Sequence, residues 1–185
     1  HQRGGIVGQR DKLQHNKMKK QLTIYYTSDV HGYFSPIDYA SGNEIPSGLA
    51  NCISNFEKDG NTLIIDGGDI LQGSPFTYYL YNKRKDDGCL PAEIMNIGGY
   101  DFVTLGNHDF NYGMPYLDSY LNVLKARCVC ENVRWDEAGV RFPARIHTLE
   151  NGLRIGIVGI VTDYVNIWEQ PQNMEKLRVN DAFEA

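Results

Sequence analysis

The chain has 185 residues, of which 42% are hydrophobic and 22% are charged. This composition is typical of one globular domain and excludes an intrinsically disordered or collagen-like chain. The net charge of −5 disfavours a nucleic acid polymer as partner, because phosphate backbones bind basic surfaces. No transmembrane segment is expected, since no apolar run approaches the ~18 residues that a spanning helix needs.

The basic residues are concentrated at the start of the chain. Residues 1–20 contain six basic residues and one acidic residue, without apolar periodicity, so we expect a basic tail or linker there. Residues 21–185 are strongly acidic and carry the globular pattern. An acidic domain that acts on an anionic substrate needs local cations at its site.

The rest of the chain alternates strand and helix patterns. Strands are predicted where β-branched, aromatic and apolar residues cluster, and helices where apolar residues recur every three or four positions. In chain order we predict strand 22–27, a helix through residues 49–56, strand 62–65 (buried on both faces), helices 75–81 and 91–97, strand 101–105, a helix through 117–124, strand 128–133, a hairpin of 145–149 and 153–161, and the start of a helix over 179–185. This order predicts an α/β fold with a mostly parallel sheet that closes in a hairpin.

The cysteines do not form a metal-binding pattern. There is no C-x-x-C pair among Cys52, Cys89, Cys128 and Cys130, which argues against a thiolate zinc site. In the predicted strand 128–133, Cys128 and Cys130 would face the same side, and we interpret them as buried apolar thiols.

Three polar clusters directly follow three of the predicted strands. They are Ser28-Asp29-Val30-His31-Gly32, Asp66-Gly67-Gly68-Asp69 and Gly106-Asn107-His108-Asp109. Ligands of open α/β sheets bind beyond the carboxyl ends of the strands, so we expect the clusters to converge there. Each cluster alone also fits an ordinary turn or helix cap.

The side chains in these clusters are of the types that bind metal ions. Asp29 and His31 would point to the same side in extended backbone, and the glycines before Asp69 allow a sharp turn. Asn107 adds a neutral oxygen. A mixed oxygen and nitrogen set without thiolate suits Mn²⁺, Zn²⁺, Fe or Mg²⁺. The conjunction of three such clusters favours a metal site over three unrelated turns.

The succession of D-x-H, G-D and G-N-H-[DE] resembles the calcineurin-like metallophosphoesterase superfamily. Longer strings resemble its 5′-nucleotidase and 2′,3′-cyclic-nucleotide phosphodiesterase group: TSDVHG at 27–32, DILQGSP at 69–75 and GNHDFNYG at 106–113. The resemblance covers about residues 21–171. It implies a metallophosphatase-type α/β/β/α sandwich, incomplete here, in which residues 21–185 form the N-terminal part of the catalytic domain.

The resemblance also implies roles for individual residues. Asp29, His31 and Asp69 would bind one divalent metal ion, and Asp69 would bridge to a second ion that Asn107 also binds. Mn, Zn or Fe would occupy the two sites. His108 would act on the phosphoryl group as general acid or as a charge stabiliser.

Asn111 and the segment 161–171 resemble one branch of the group. The 5′-nucleotidases usually carry Asp at the position of Asn111, paired with the catalytic histidine, whereas Asn is similar to the 2′,3′-cyclic-nucleotide 2′-phosphodiesterase/3′-nucleotidases. Segment 161–171, with Trp168, resembles the same branch. Asn111 as a turn residue and Trp168 as a packing residue are the alternative interpretations.

The resemblance predicts an enzyme that hydrolyses 2′,3′-cyclic nucleotides and 3′-nucleotides in an extracellular, periplasmic or cell-surface location. The alternatives are a 5′-nucleotidase or nucleotide-sugar hydrolase, and a non-catalytic module of the same fold. The chain lacks the later Gly-His and Gly-His-x-His motifs of the family, and we interpret His147 as a strand residue. We therefore expect the remaining C-terminal portion of the enzyme to complete the site, and this chain alone to be weakly active or inactive.

Overall fold

A computed structural model of the chain describes residues 19–84, 89–135 and 139–185. All but residues 19 and 20 of the predicted basic tail lie outside the described residues. The strands are β1 (Thr23–Thr27), β2 (Thr62–Asp66), β3 (Phe102–Val103), β4 (Arg127–Cys128), β5 (Cys130–Trp135), β6 (Val140–Phe142), β7 (Arg145–Thr148), β8 (Arg154–Ile157) and β9 (Leu177–Val179). The helices are α1 (Leu49–Ile53), α2 (Pro75–Lys83), α3 (Leu90–Ile97), α4 (Met114–Val123) and α5 (Val165–Trp168), with 3₁₀ turns at Asn107–Phe110 and Pro171–Asn173.

The centre of the fold is a four-stranded parallel sheet in the order β1-β2-β3-β4. A three-stranded sheet, β6-β5-β9, and the hairpin β7-β8 are both antiparallel. These elements confirm the predicted α/β fold with a parallel sheet. No helix in the described parts of the chain is long and apolar enough to cross a membrane.

The central strands β2 and β3 are buried on both faces, as the apolar run at residues 62–65 predicts, whereas Ile24 and Tyr26 of the edge strand β1 are exposed. In β2, Leu63 packs with Phe102 and Leu149 on one face, whereas Ile64 belongs to the larger core on the other face. Both Leu63 and Ile64 are fully buried. A sheet packed on both faces holds its strand ends rigidly, which is what a binding site at those ends requires.

The predicted strand over residues 128–133 is wrong, because the chain changes sheets within it. β4 ends at Cys128 in the parallel sheet, and β5 begins at Cys130 in the antiparallel sheet. The two cysteines therefore do not share one strand. Cys130 is buried and Cys128 is half-buried, and burial raises the pKa of both thiols, that of Cys130 to about 11. The interpretation as buried thiols is consistent with these environments.

The helix predicted over residues 179–185 is also wrong. Val179 lies in β9, where it pairs with Val133, and the backbone N–H of Asn180 donates to the carbonyl of Asn132. Leu177 and Val179 are buried while Arg178 between them is exposed, which is the two-residue alternation of a strand. Residues 153–161 and 101–105 contain shorter strands than predicted, β8 and β3.

Candidate metal centre and active site

Three polar loops meet at the carboxyl ends of β1, β2 and β3. The backbone N–H groups of Asp29 and His31 donate to the carbonyls of Gly68 and Asp69, at 3.0 and 2.8 Å. The backbone N–H of His108 donates to Asp69 Oδ1 at 2.7 Å. The parallel register of the strands brings the loops together, and these hydrogen bonds then tie the first and third loops to the second.

The three residues expected to bind the first metal ion form a compact cluster. One possible ligand atom from each of Asp29, His31 and Asp69 lies within 4.8 Å of the other two. Asp29 Oδ1 and His31 Nε2 are 4.0 Å apart. The extended backbone predicted for Asp29 and His31 is wrong, since their φ angles are positive, at 54° and 49°; Asp69 also has a positive φ, of 59°. Such angles are uncommon outside glycine and are concentrated at functional sites.

His31 is oriented as a metal ligand would be. Its Nδ1 lies 2.8 Å from the carbonyl oxygen of Gln72. A carbonyl can only accept, so Nδ1 carries a proton, and Nε2, which lies on the side of Asp29, is the nitrogen left for a metal ion. The residues present therefore fit a divalent cation: two carboxylates and one correctly oriented imidazole nitrogen.

Asp109 anchors the backbone around the cluster, although it does not face it. Its buried carboxylate accepts four backbone N–H groups: Oδ1 from Ile70 and Leu71, at 2.9 and 3.0 Å, and Oδ2 from Asp69 and Gly106, at 2.8 and 2.9 Å. Burial raises the pKa of Asp109, and the N–H groups oppose that effect. This carboxylate thus joins the loop after β2 to the loop after β3.

The close approach of these two loops requires glycine. A Cβ on Gly68, whose φ is +94°, would lie 2.3 Å from the backbone nitrogen of Gly106. A Cβ on Gly106 would lie 2.1 Å from Asp69 Oδ1. Glycine is therefore required at Gly68 for both steric and conformational reasons, and at Gly106, whose backbone is extended, for steric reasons alone.

A second buried carboxylate lies beneath the cluster. Burial raises the pKa of Asp66 to about 7, and repulsion from Asp109 and Asp29 adds to the rise. Thr27 Oγ1 and the backbone N–H of Gly68 donate to Asp66, at 2.6 and 2.9 Å. Several carboxylates thus converge on one rim of the sheet, where a divalent cation would offset their mutual repulsion.

The third loop places the predicted catalytic residues beside this cluster. The rings of His31 and His108 meet edge to face with centroids 5.3 Å apart. Asn107, in the 3₁₀ turn, lies between Gly106 and His108, both of which contact the Asp69 carboxylate. His108 Nδ1 lies 2.8 Å from Asn111 Oδ1. An open cleft of about 320 Å³ is lined by Asn107, His108, Asn111, Val165, Trp168 and Glu169.

Sequence reasoning missed two contributors to the site. Asp109 and Glu169 both lie inside the strings that carried the resemblance, but neither was given a role. The Asn111 amide nitrogen donates to Glu169 Oε2 at 2.7 Å. Such a contact joins residues 58 positions apart, which no local pattern predicts. His147 is in β7 and packs edge to face on Phe102, away from the cluster, as the strand interpretation expected.

Comparison with known proteins agrees with this geometry. The calcineurin-like phosphoesterase family model matches residues 22–183. The trifunctional nucleotide phosphoesterase protein YfkN of Bacillus subtilis is 31% identical over 89% of this chain and 13% of its own length. A crystal structure of YfkN has a TM-score of 0.76 with 32% identity, and the match covers 88% of this chain and 55% of that one.

Two further proteins are similar over the same region. A 2′,3′-cyclic-nucleotide 2′-phosphodiesterase/3′-nucleotidase of Yersinia enterocolitica is 30% identical over 88% of this chain and 28% of its own length. The structure of a 5′-nucleotidase precursor from Thermus thermophilus has a TM-score of 0.64 at 25% identity, covering 88% of this chain and 32% of that one. The chain thus spans less than a third of the curated relatives named here. It belongs to the calcineurin-like phosphoesterase family.

Proposed function

We propose that this chain contributes the metal centre of an enzyme that hydrolyses 2′,3′-cyclic nucleotides and 3′-nucleotides. The observation that carries the proposal is the convergence of Asp29, His31 and Asp69, with the ring of His108 beside them. Family membership supports phosphoester hydrolysis, and the names of the similar proteins support a nucleotide as substrate.

The proposal includes two divalent metal ions. Asp29, His31 and Asp69 would hold the first, while Asp69 and Asn107 would contribute to the second. Mn, Zn or Fe suits the mixed oxygen and nitrogen donors. When bound, such ions supply charge neutralisation for the phosphoryl group and lower the pKa of water. The second site has few ligands in this chain, so we propose that another portion of the enzyme completes it.

His108 is the proposed catalytic group. With Nδ1 bound to Asn111, Nε2 would be the nitrogen that faces a phosphoryl group held in the cleft. From Nε2 the ring would donate a proton to the leaving oxygen or a hydrogen bond to the charge that develops on the phosphoryl group. Asn111 would hold the plane of the ring.

A 5′-nucleotidase is the second candidate, favoured by the similarity to the Thermus thermophilus precursor. Asn111 favours the cyclic-nucleotide branch by the resemblance described above. Comparing kcat/KM for 2′,3′-cyclic AMP and 5′-AMP separates the two candidates. An extracellular, periplasmic or cell-surface location is part of the proposal, and fractionation of the source cells tests it.

The experiment that tests the function uses the longest natural form of the protein that contains this chain. With Mn²⁺ and 2′,3′-cyclic AMP we expect turnover, and His108→Ala should lower kcat by about 10²–10⁴-fold. His147→Ala is the matched control and should leave kcat within about threefold, because His147 packs on Phe102. Equal losses in the two variants, or no turnover of any nucleotide, would contradict the proposal.

A further inference from the structure

The side chain of Glu169 is held between two short helices next to the proposed catalytic residue. It follows α5 directly, and the 3₁₀ turn at Pro171–Asn173 comes next. Its Oε1 accepts from the backbone N–H of Gln170 and from the Asn173 amide nitrogen, each at 2.8 Å. Its Oε2 accepts from the Asn111 amide nitrogen at 2.7 Å. Glu169 itself is half-buried and its bond to Asn173 is partly buried, while its bonds to Asn111 and Gln170 are exposed.

These contacts determine which way the Asn111 amide faces. A carboxylate only accepts hydrogen bonds, so Asn111 must turn its Nδ2 towards Glu169. Its Oδ1 then faces His108 Nδ1, at 2.8 Å. An amide oxygen also only accepts, so Nδ1 of the imidazole is a protonated nitrogen and Nε2 would be the nitrogen available to the reactants.

We propose that Glu169 is a positioning residue that sets the tautomer of His108 through the amide of Asn111. The inference rests on the proposed function for its catalytic consequence, but the hydrogen-bond order itself does not. Without the carboxylate, the amide can present Nδ2 to the ring, and the ring proton then moves to Nε2. An amide that donates to Nδ1 leaves no room for a proton there, so the ring loses the doubly protonated form in which Nε2–H donates with a positive charge behind it.

The variant Glu169→Gln tests this order of hydrogen-bond donors and acceptors with almost no change in the shape of the side chain. Two donors, Gln170 N–H and the Asn173 amide, still require an oxygen at the position of Oε1. The new NH₂ group must therefore face Asn111, where it meets another NH₂ group. Asn111 is expected to flip its amide, giving Oδ1 to the glutamine and Nδ2 to His108.

A second substitution should reverse the flip. In the double variant Asn111→Asp with Glu169→Gln, one carboxylate oxygen accepts from the glutamine NH₂ and the other from His108 Nδ1–H. The single variant Asn111→Asp places two carboxylates where the 2.7 Å contact now lies and should break it. If the double variant recovers the property that each single variant loses, the side chains at positions 111 and 169 act on each other directly.

The measurement is the ¹⁵N chemical shifts of the His108 ring, read through long-range ¹H–¹⁵N couplings in metal-free buffer at about pH 9, where ordinary imidazoles are neutral. We expect protonated Nδ1 in the unmodified chain, protonated Nε2 in Glu169→Gln and protonated Nδ1 again in the double variant. Glu175→Gln removes the same charge from an exposed residue six positions further along the chain and should change nothing. Backbone amide spectra report whether each variant retains the fold.

Kinetics on the longest natural form give the second readout. Glu169→Gln should lower kcat for 2′,3′-cyclic AMP about tenfold with little change in KM, and the double variant should recover to within about threefold. Retention of the Nδ1 proton in Glu169→Gln, or failure of the double variant to restore it, overturns the inference. If the enzyme proves inactive on nucleotides while the tautomers change as described, the proposed function fails and the inference stands.

Discussion

The buried carboxylate of Asp109 provides the sharpest test of how the site is built. The substitution Asp109→Asn keeps the shape of the side chain but leaves one oxygen to accept where two accept now. Of the four backbone N–H groups that Asp109 binds, two would then face an NH₂ group. Asp109 is 2% exposed, so water cannot replace the lost acceptors.

The expected loss of stability follows from those two groups. Each buried N–H left without an acceptor costs about 1–3 kcal/mol, and removal of the buried charge offsets a part of the total. We therefore expect the free energy of unfolding in urea to fall by about 2–4 kcal/mol. Intrinsic fluorescence of the two tryptophans is a suitable signal.

The matched control is Asp181→Asn. Asp181 is exposed, and a single oxygen accepts from the backbone N–H of Phe183, which an amide oxygen can equally do. This control should stay within about 0.5 kcal/mol of the unmodified protein. If Asp109→Asn lost no more stability than the control, the role of Asp109 as the anchor of both loops would be refuted.

Two further substitutions probe the same rim. Gly68→Ala introduces a Cβ 2.3 Å from the Gly106 nitrogen, at a residue whose φ is +94°. It should lower the free energy of unfolding by about 2 kcal/mol more than the control Gly42→Ala, whose Cβ meets nothing within 4 Å. Equal losses in the two variants would contradict the steric argument. The pKa of Asp66, about 7, lies above the ordinary value of about 3.9. Between these two values the folded protein keeps a proton that the unfolded chain releases. The free energy of unfolding of the metal-free protein should therefore fall as the pH rises from about 4 to about 7. Asp66→Asn should make that urea-unfolding profile less steep, leaving the part that comes from Asp109, and an unchanged profile would show that Asp66 does not contribute to it.

The sequence was sufficient to predict the parallel sheet and the rim on which the site lies. Leu63 and Ile64 stand in a short continuous apolar run, and such a run is typical of a strand buried on both faces. Asp29, His31 and Asp69 each follow a strand of that sheet, so topology alone was enough to bring them together. Their positive φ angles were not predictable, because they arise from the contacts between loops.

Other features depend on contacts between distant parts of the chain. The break between Cys128 and Cys130 reflects where each sheet ends, and the local pattern on both sides is that of a strand. The last strand has only three residues, which are too few to show a clear period, so the local pattern does not distinguish it from a helix. Glu169 could not be placed from sequence for a related reason, since its partner Asn111 is 58 residues away.

The central claim is that Asp29, His31 and Asp69 together bind a divalent cation, and anomalous scattering tests it most directly. In crystals of the protein soaked with Mn²⁺, data collected near the manganese edge should show a peak among these three side chains. The peak should vanish in Asp69→Ala, because the buried ligand at the centre of the cluster is lost. An absent peak, or a peak that persists at the same position in Asp69→Ala, would contradict the account.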